Sequence, residues 1–279
     1  MYLWIVLIHM TSNGIKIILL LSTLLSFQEK VFADSTQKIQ WTPEQKTLNL
    51  APYISYIEDG QKKETIASIR EKFDTNLGKK SNANSIGFGY SPSAYWLEWK
   101  IETQDDHSTD VWLELVSLID SIDLFIYKDG VALSKFHTGR NEPVTKRYLL
   151  HRNFLFSLPI SQKGRYQVIM RFESQGSLLL PLSIWSKEAY LEEESLKTTL
   201  FGAYFGVMGV AFFYNLFLFL SIRDKSYLYY ILYIFFLTLV QSSIWGYTHA
   251  YIFPEHPHLA DLSFPISISL VNTFALLFA

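Results

Sequence analysis

Residues 200–222, LFGAYFGVMGVAFFYNLFLFLSI, and residues 227–247, YLYYILYIFFLTLVQSSIWGY, flank a short link, Arg223-Asp224-Lys225-Ser226. Neither run contains a Lys, Arg, Asp or Glu. At about 1.5 Å rise per residue, a helix of about 20 residues crosses a hydrocarbon core about 30 Å thick. Two such spans on so short a link predict an antiparallel helical hairpin, with everything before Leu200 held on one side of a membrane. Arg223 and Lys225 sit in the link, whereas Thr248 to Ser263 carries no Lys or Arg. The positive-inside rule therefore places 223–226 in the cytoplasm and 34–199 outside.

The net charge of −2 conceals two different solvents. Residues 34–199 carry 20 Lys/Arg and 22 Asp/Glu, a water-facing balance. Residues 200–279 carry only Arg223, Asp224, Lys225, Glu255 and Asp261. About 165 residues suffice for one folded domain with its own core. There is no basic surplus of the kind nucleic acid requires, so no nucleic-acid partner is expected. With no Cys, disulfides, thiolate metal sites and cysteine nucleophiles are excluded.

Residues 1–33 read as a signal peptide. Lys16 precedes the apolar run Ile17 to Phe27, and Val31-Phe32-Ala33 offers a cleavage site after Ala33. Met1 to Met10 lacks a positive n-region, which a start at Met10 would explain; an uncleaved signal anchor is the alternative. Residues 34–46 read as a polar linker or edge around an isolated Trp41.

From there the period is first helical and then two. Thr65 to Phe73 predicts a short helix with Ile66, Ile69 and Phe73 on one side. Lys79 to Ser85 is a polar loop. Tyr95, Leu97, Trp99 and Ile101 alternate with Trp96, Glu98, Lys100 and Glu102. Val111, Leu113 and Leu115 alternate with Trp112 and Glu114. Ile122 to Tyr127 meets the turn Lys128-Asp129-Gly130, with Val131 to His137 as hairpin partner. Phe154, Phe156 and Leu158 share one face, as do Tyr166, Val168, Met170 and Phe172. Leu178 to Trp185 is a last strand, with Pro181 marking an edge or bulge. Residues 47–187 thus predict an all-β, jelly-roll-like sandwich. Residues 188–199 form a charged helical connector into membrane spans at about 200–222, 227–247 and 265–279.

Several of these segments resemble one family. They are Gly87-Phe88-Gly89-Tyr90-Ser91 with Ala94-Tyr95-Trp96-Leu97, His151-Arg152-Asn153-Phe154-Leu155-Phe156, and Gly176-Ser177-Leu178 running to Ile184-Trp185-Ser186. Leu216 to Leu220 followed by Ser221 to Tyr230 is similar to the first intracellular turn of the same family. These are the bacterial seven-transmembrane receptors with diverse intracellular signalling modules, with the type 2 extracellular domain. The resemblance, over about 45–279, implies a jelly-roll sensor similar to carbohydrate-binding modules, seven helices and a cytoplasmic cyclase, kinase or phosphatase. The run from Pro265 to Ala279 is short for a span. The expectation is a fragment or disrupted product without helices four to seven and without its effector.

Chemistry-bearing residues are sparse. There is no P-loop, His-Glu-x-x-His or Gly-x-Ser-x-Gly. Glu255 and His256-Pro257-His258 read as an interfacial loop rather than a metal site, and Asp105-Asp106-His107 as a polar turn. Asp120 and Asp123 read as turn and surface groups rather than an acid/base pair. No catalytic residue, metal or cofactor is expected. Trp96, Trp112, Phe125 and Tyr127 have the parity opposite to the aliphatic stripes, a pattern that would suit stacking on sugar rings. Arg152 and Arg171 are candidate clamps for an anionic group. Asn215, polar within the first span, is expected to bond a neighbouring helix. The reading is the sensory and membrane portion of a receptor in the bacterial inner membrane, with a small-molecule or carbohydrate ligand outside. Its partners are the lipid bilayer and a missing effector, with a homodimer left open. A membrane-anchored glycan-processing enzyme and a non-signalling adaptor are the alternatives.

Overall fold

The computed structural model describes residues 39–278 except 43, 82–83, 104–110 and 161. The expected signal peptide and the Asp105-Asp106-His107 turn lie outside the described residues. The described strands are β1 (Ile39–Gln40), β2 (Thr47–Asn49), β3 (Ser55–Asp59), β4 (Lys79–Lys80), β5 (Ile86–Tyr90), β6 (Ala94–Thr103), β7 (Val111–Leu115), β8 (Ser121–Lys128), β9 (Val131–Thr138), β10 (Phe154–Leu158), β11 (Gly164–Glu173), β12 (Ser177–Leu180) and β13 (Leu182–Ser186). One sheet has the order β4-β3-β6-β11-β8-β9, with β1 parallel to β6. It packs on a second sheet, β10-β7-β13-β2, and β12 pairs with β5.

The alternation builds the core. Tyr95, Leu97, Trp99 and Ile101 of β6 and Tyr166, Val168, Met170 and Phe172 of β11 supply one wall. Leu113 and Leu115 of β7, Phe154 and Phe156 of β10, and Ile184 of β13 supply the other. Burial of such side chains stabilises a fold by about 1.5–3 kcal/mol each. The β8–β9 turn follows its chemistry: Asp129 and Gly130 have φ of 48° and 87°, the left-handed pair that a tight hairpin needs.

Three expectations change. Of the stretch expected as a linker or edge, Ile39 and Trp41 join the sandwich: Ile39 pairs with Ile101, and Trp41 is buried in the core. Local polarity hid this, because a two-residue strand is fixed by its partner rather than by its own period. The expected last strand splits at Pro181, which cannot donate to a ladder; β12 pairs with β5, and β13 joins β7. The third apolar helix starts at Pro257, not Pro265. Pro265 removes one intrahelical bond without ending the helix.

The helices are α1 (Ile66–Asp74), α2 (Lys187–Ile222), α3 (Lys225–Ile244) and α4 (Pro257–Phe278), with a π-helical turn at Thr248–Ile252. Thr65 caps α1, its Oγ1 accepting from Ser68 N. The 36 residues of α2 merge the connector and the first apolar run into one unbroken helix. Ser186, the last residue of β13, is its N-cap. Asp224 caps α3. Among the described residues, α2, α3 and α4 are long and apolar enough to span a membrane.

Candidate functional site at the sandwich–membrane junction

Period two in β7 and β13 turns Trp112, Glu114 and Trp185 outward, away from the core. The charged part of α2, residues 187–199, lies over them. The Tyr190 ring is 5.3 Å from Trp112 and 6.0 Å from Trp185. Glu114 is only 3% exposed, so its carboxylate needs donors. Asn153 Nδ2 donates to it at 2.7 Å and the Tyr190 hydroxyl at 3.4 Å. Burial and the neighbouring Glu114 carboxylate push the Tyr190 phenol up, so it stays protonated as a donor.

One turn along α2, Glu194 receives Arg152. Arg152 Nη2 lies 2.9 Å and 2.8 Å from the two Glu194 oxygens, and Nε lies 3.2 Å from Oε1. His151 Nε2 is 3.2 Å from the same Oε1. Burial alone would raise the Glu194 carboxyl, but hydrogen bonds from His151 and Arg152 outweigh it and hold the group at about 2. The Arg152 guanidinium also sits 4.8 Å from the Phe201 ring centroid and 5.5 Å from that of Tyr247. Arg147 fixes its backbone, donating to the His151 carbonyl at 2.8 Å and the Arg152 carbonyl at 3.0 Å. Gly246 permits the approach from the membrane side. It has φ 78°, and a Cβ there would come within 3.3 Å of the Arg152 carbonyl.

A second contact ties in α4. Val144 N donates to the Pro254 carbonyl at 2.8 Å. Arg140 Nε lies 3.3 Å from Asp120 Oδ1 and 3.4 Å from Asp261 Oδ1, and Asp261 also meets His249 Nε2 at 2.8 Å. The sandwich-side end of each of the three apolar helices is thus bonded to, or packed on, the sandwich.

The residues singled out in sequence fall into two groups. Trp96, Phe125, Tyr127 and Arg171 share the outer face of the β6-β11-β8 sheet. Trp96 and Phe125 are 3% and 8% exposed beneath Ile69 and Phe73 of α1, so their rings offer no open face for a sugar. Arg70 covers Tyr127 at 4.3 Å. Arg171 pairs with Glu173 and Asp123. Trp112 and Arg152 lie at the junction instead. Asp120 and Asp123 face separate partners, Arg140 for the first and His137 and Arg171 for the second. Asn215 bonds the Ala211 carbonyl of its own helix, at 2.8 Å, rather than a neighbouring helix, because the carbonyl one turn back is within its reach. Sequence reasoning missed Glu114, Asn153, His151, Tyr190, Glu194 and Tyr247. The spacing of Tyr190 and Glu194, one turn apart on one helix face, was the available signal.

The family model described as 7TMR-DISM extracellular 2 matches residues 51–186, and the one described as 7TM diverse intracellular signalling matches residues 197–279. No curated protein matches the chain. Among solved structures, it is similar to a β-glucuronidase from Ruminococcus gnavus in complex with N1-substituted uronic isofagomine. That match has 10% identity and a TM-score of 0.30, over 55% of this chain and 32% of that one. The chain thus spans about a third of the enzyme's length. It is also similar to TmCBM61 in complex with β-1,4-galactotriose, at 12% identity and a TM-score of 0.25, over 47% of this chain and 88% of that one. With its extracellular-type sandwich leading directly into apolar helices, the chain belongs to the 7TMR-DISM family of membrane receptors.

Proposed function

We propose that this chain is the sensing and membrane portion of a multi-pass receptor of the bacterial inner membrane. A small ligand, with carbohydrates the first class to test, binds the sandwich outside the membrane, and α2, α3 and α4 relay its occupancy to a cytoplasmic effector. One observation carries the reading: β13 passes into α2 with no linker, and Arg152 clamps the loop before β10 to Glu194 of α2 and to Tyr247 beyond α3. Any rearrangement of the sandwich that moves this loop must move the helix ends or break the clamp. A ligand with different affinities for two such arrangements shifts the helices by that difference alone.

The absence of native cysteine makes the test direct. Spin labels on Leu133→Cys and Ser226→Cys report the distance from the exposed sandwich edge to the α2–α3 link in the full chain in nanodiscs. A glycan and metabolite panel is first screened by thermal shift. The expected result is a ligand that raises Tm and changes the distance distribution, with Arg152→Ala retaining binding but losing the change. A bound ligand that leaves the wild-type distribution unaltered contradicts the relay.

A further inference from the structure

A cleft of about 450 Å³ opens between the β7–β8 loop and the sandwich-side ends of α2 and α3. That volume is within the range of small-ligand sites, about 300–1,000 Å³. Val116, Phe201 and Trp245 form apolar walls, and Arg152, Asn153 and Lys197 supply polar groups. Among the described residues no carboxylate lines it. Val116 is 52% exposed, an apolar side chain bordering an open cleft. Trp245 is braced as a wall, with Phe201 at 4.5 Å and Tyr204 at 5.0 Å between ring centroids.

The two cations are held differently. Arg152 is fixed by Glu194 and cannot leave without reducing that carboxylate's partners to His151. Lys197 is one turn before Phe201 on the same helix face. Among the described residues its ammonium meets the half-exposed Glu193 at 3.2 Å and lies over the Trp185 ring, 6.0 Å from its centroid, contacts that an incoming anion can replace. It lines the same cleft as the aromatic rings of Phe201 and Trp245, which lie where the helices become apolar. Tryptophan and tyrosine favour this level of a membrane, beside the headgroups.

We infer that this cleft binds an amphipathic anion: a phosphate-headed molecule whose charge meets Lys197, with Arg152 and Asn153 as further donors, and whose apolar part lies against Phe201 and Trp245. Such a molecule touches the β7–β8 loop, the loop before β10, α2 and α3 together. Binding there does not depend on the relay proposed above, so either can fail alone.

The test uses the full chain in a neutral detergent, with lipid retention read by native mass spectrometry. Phosphatidylglycerol and phosphatidylcholine are the lipid probes, and glycerol phosphate is the soluble one. The expected result is one phosphatidylglycerol retained in preference to phosphatidylcholine. Losing a charge-assisted hydrogen bond in Lys197→Gln weakens retention roughly tenfold or more, and Lys197→Arg restores it. Val116→Trp, which fills the cleft without altering charge, blocks it too, and unchanged thermal melts show both variants folded. Glycerol phosphate binding with the same Lys197 dependence assigns a soluble source; binding of the lipid alone assigns a headgroup. Equal retention of phosphatidylcholine, or phosphatidylglycerol retention that neither variant reduces, overturns the inference.

Discussion

Both sheets of the sandwich turn tryptophan outward, and both outer faces are covered by a helix, but the two covers differ in kind. Over the β6-β11-β8 sheet, α1 presents Ile69 and Phe73 to Trp96, Phe125 and Ile169 and then stops after nine residues. Over the β7-β13 sheet, α2 presents Tyr190 and Glu194 to Trp112, Glu114, His151 and Arg152 and then runs on into the apolar segment. The α1 contact is mainly apolar, and apolar contact is non-directional and tolerates sliding; Arg70 adds single hydrogen bonds to Gln167 Oε1 at 3.2 Å and the Gly130 carbonyl at 3.0 Å. A forked ion pair with fixed donors has one good geometry and resists small displacements. The first cover closes a surface; the second has the rigidity to pass a displacement on.

The contrast can be broken at either face, and the largest effect belongs to the dry one. Phe73→Ala removes a nearly fully buried ring and should cost about 3–4 kcal/mol of sandwich stability, read by denaturant titration. Hydrogen exchange at Thr248–Phe253 should stay unchanged while the sandwich remains folded. Arg152→Ala leaves Glu194 with His151 alone and should cost about 3 kcal/mol of local stability at the junction. Arg152→Lys recovers only part of this, because an ammonium has no fork. Gly246→Ala places a Cβ in a left-handed backbone against the Arg152 carbonyl and should cost about 1–2 kcal/mol, with its exchange signature confined to the junction.

Much of the dry face was legible in sequence. Ile66, Ile69 and Phe73 on a helical spacing, and the alternation of β6, β8 and β11, predict the sheet and its inner side. What hides the meaning of the outer tryptophans is that parity separates in from out but does not say what covers an outer face. Trp96 and Trp112 have the same parity and end beneath different helices. The junction is less legible still. Glu114, Asn153, Tyr190 and Glu194 lie far apart in the chain, and their pairing exists only once β7, β10 and α2 are in place. Trp41 and the break at Pro181 were obscured likewise by partners distant in sequence.

The smallest effect at neutral pH comes from titration. The Glu194 carboxyl is held at about 2, below its ordinary 4.5. Its depressed folded value means that its contribution is complete above about pH 4.5 and disappears as pH falls toward 2. Junction stability should therefore be flat in Glu194 between pH 5 and 8 and weaken below about 4.5, and Glu194→Gln should remove that acid limb.

Hydrogen exchange on the full chain in nanodiscs, comparing wild type with Arg152→Ala, tests the central claim most directly. The account predicts faster exchange at Thr248–Phe253, beyond the broken clamp, with the β11 amides of Gly164–Glu173 unchanged. Identical exchange at Thr248–Phe253 in the two proteins would contradict it, because Arg152 would then hold nothing that the membrane helices feel.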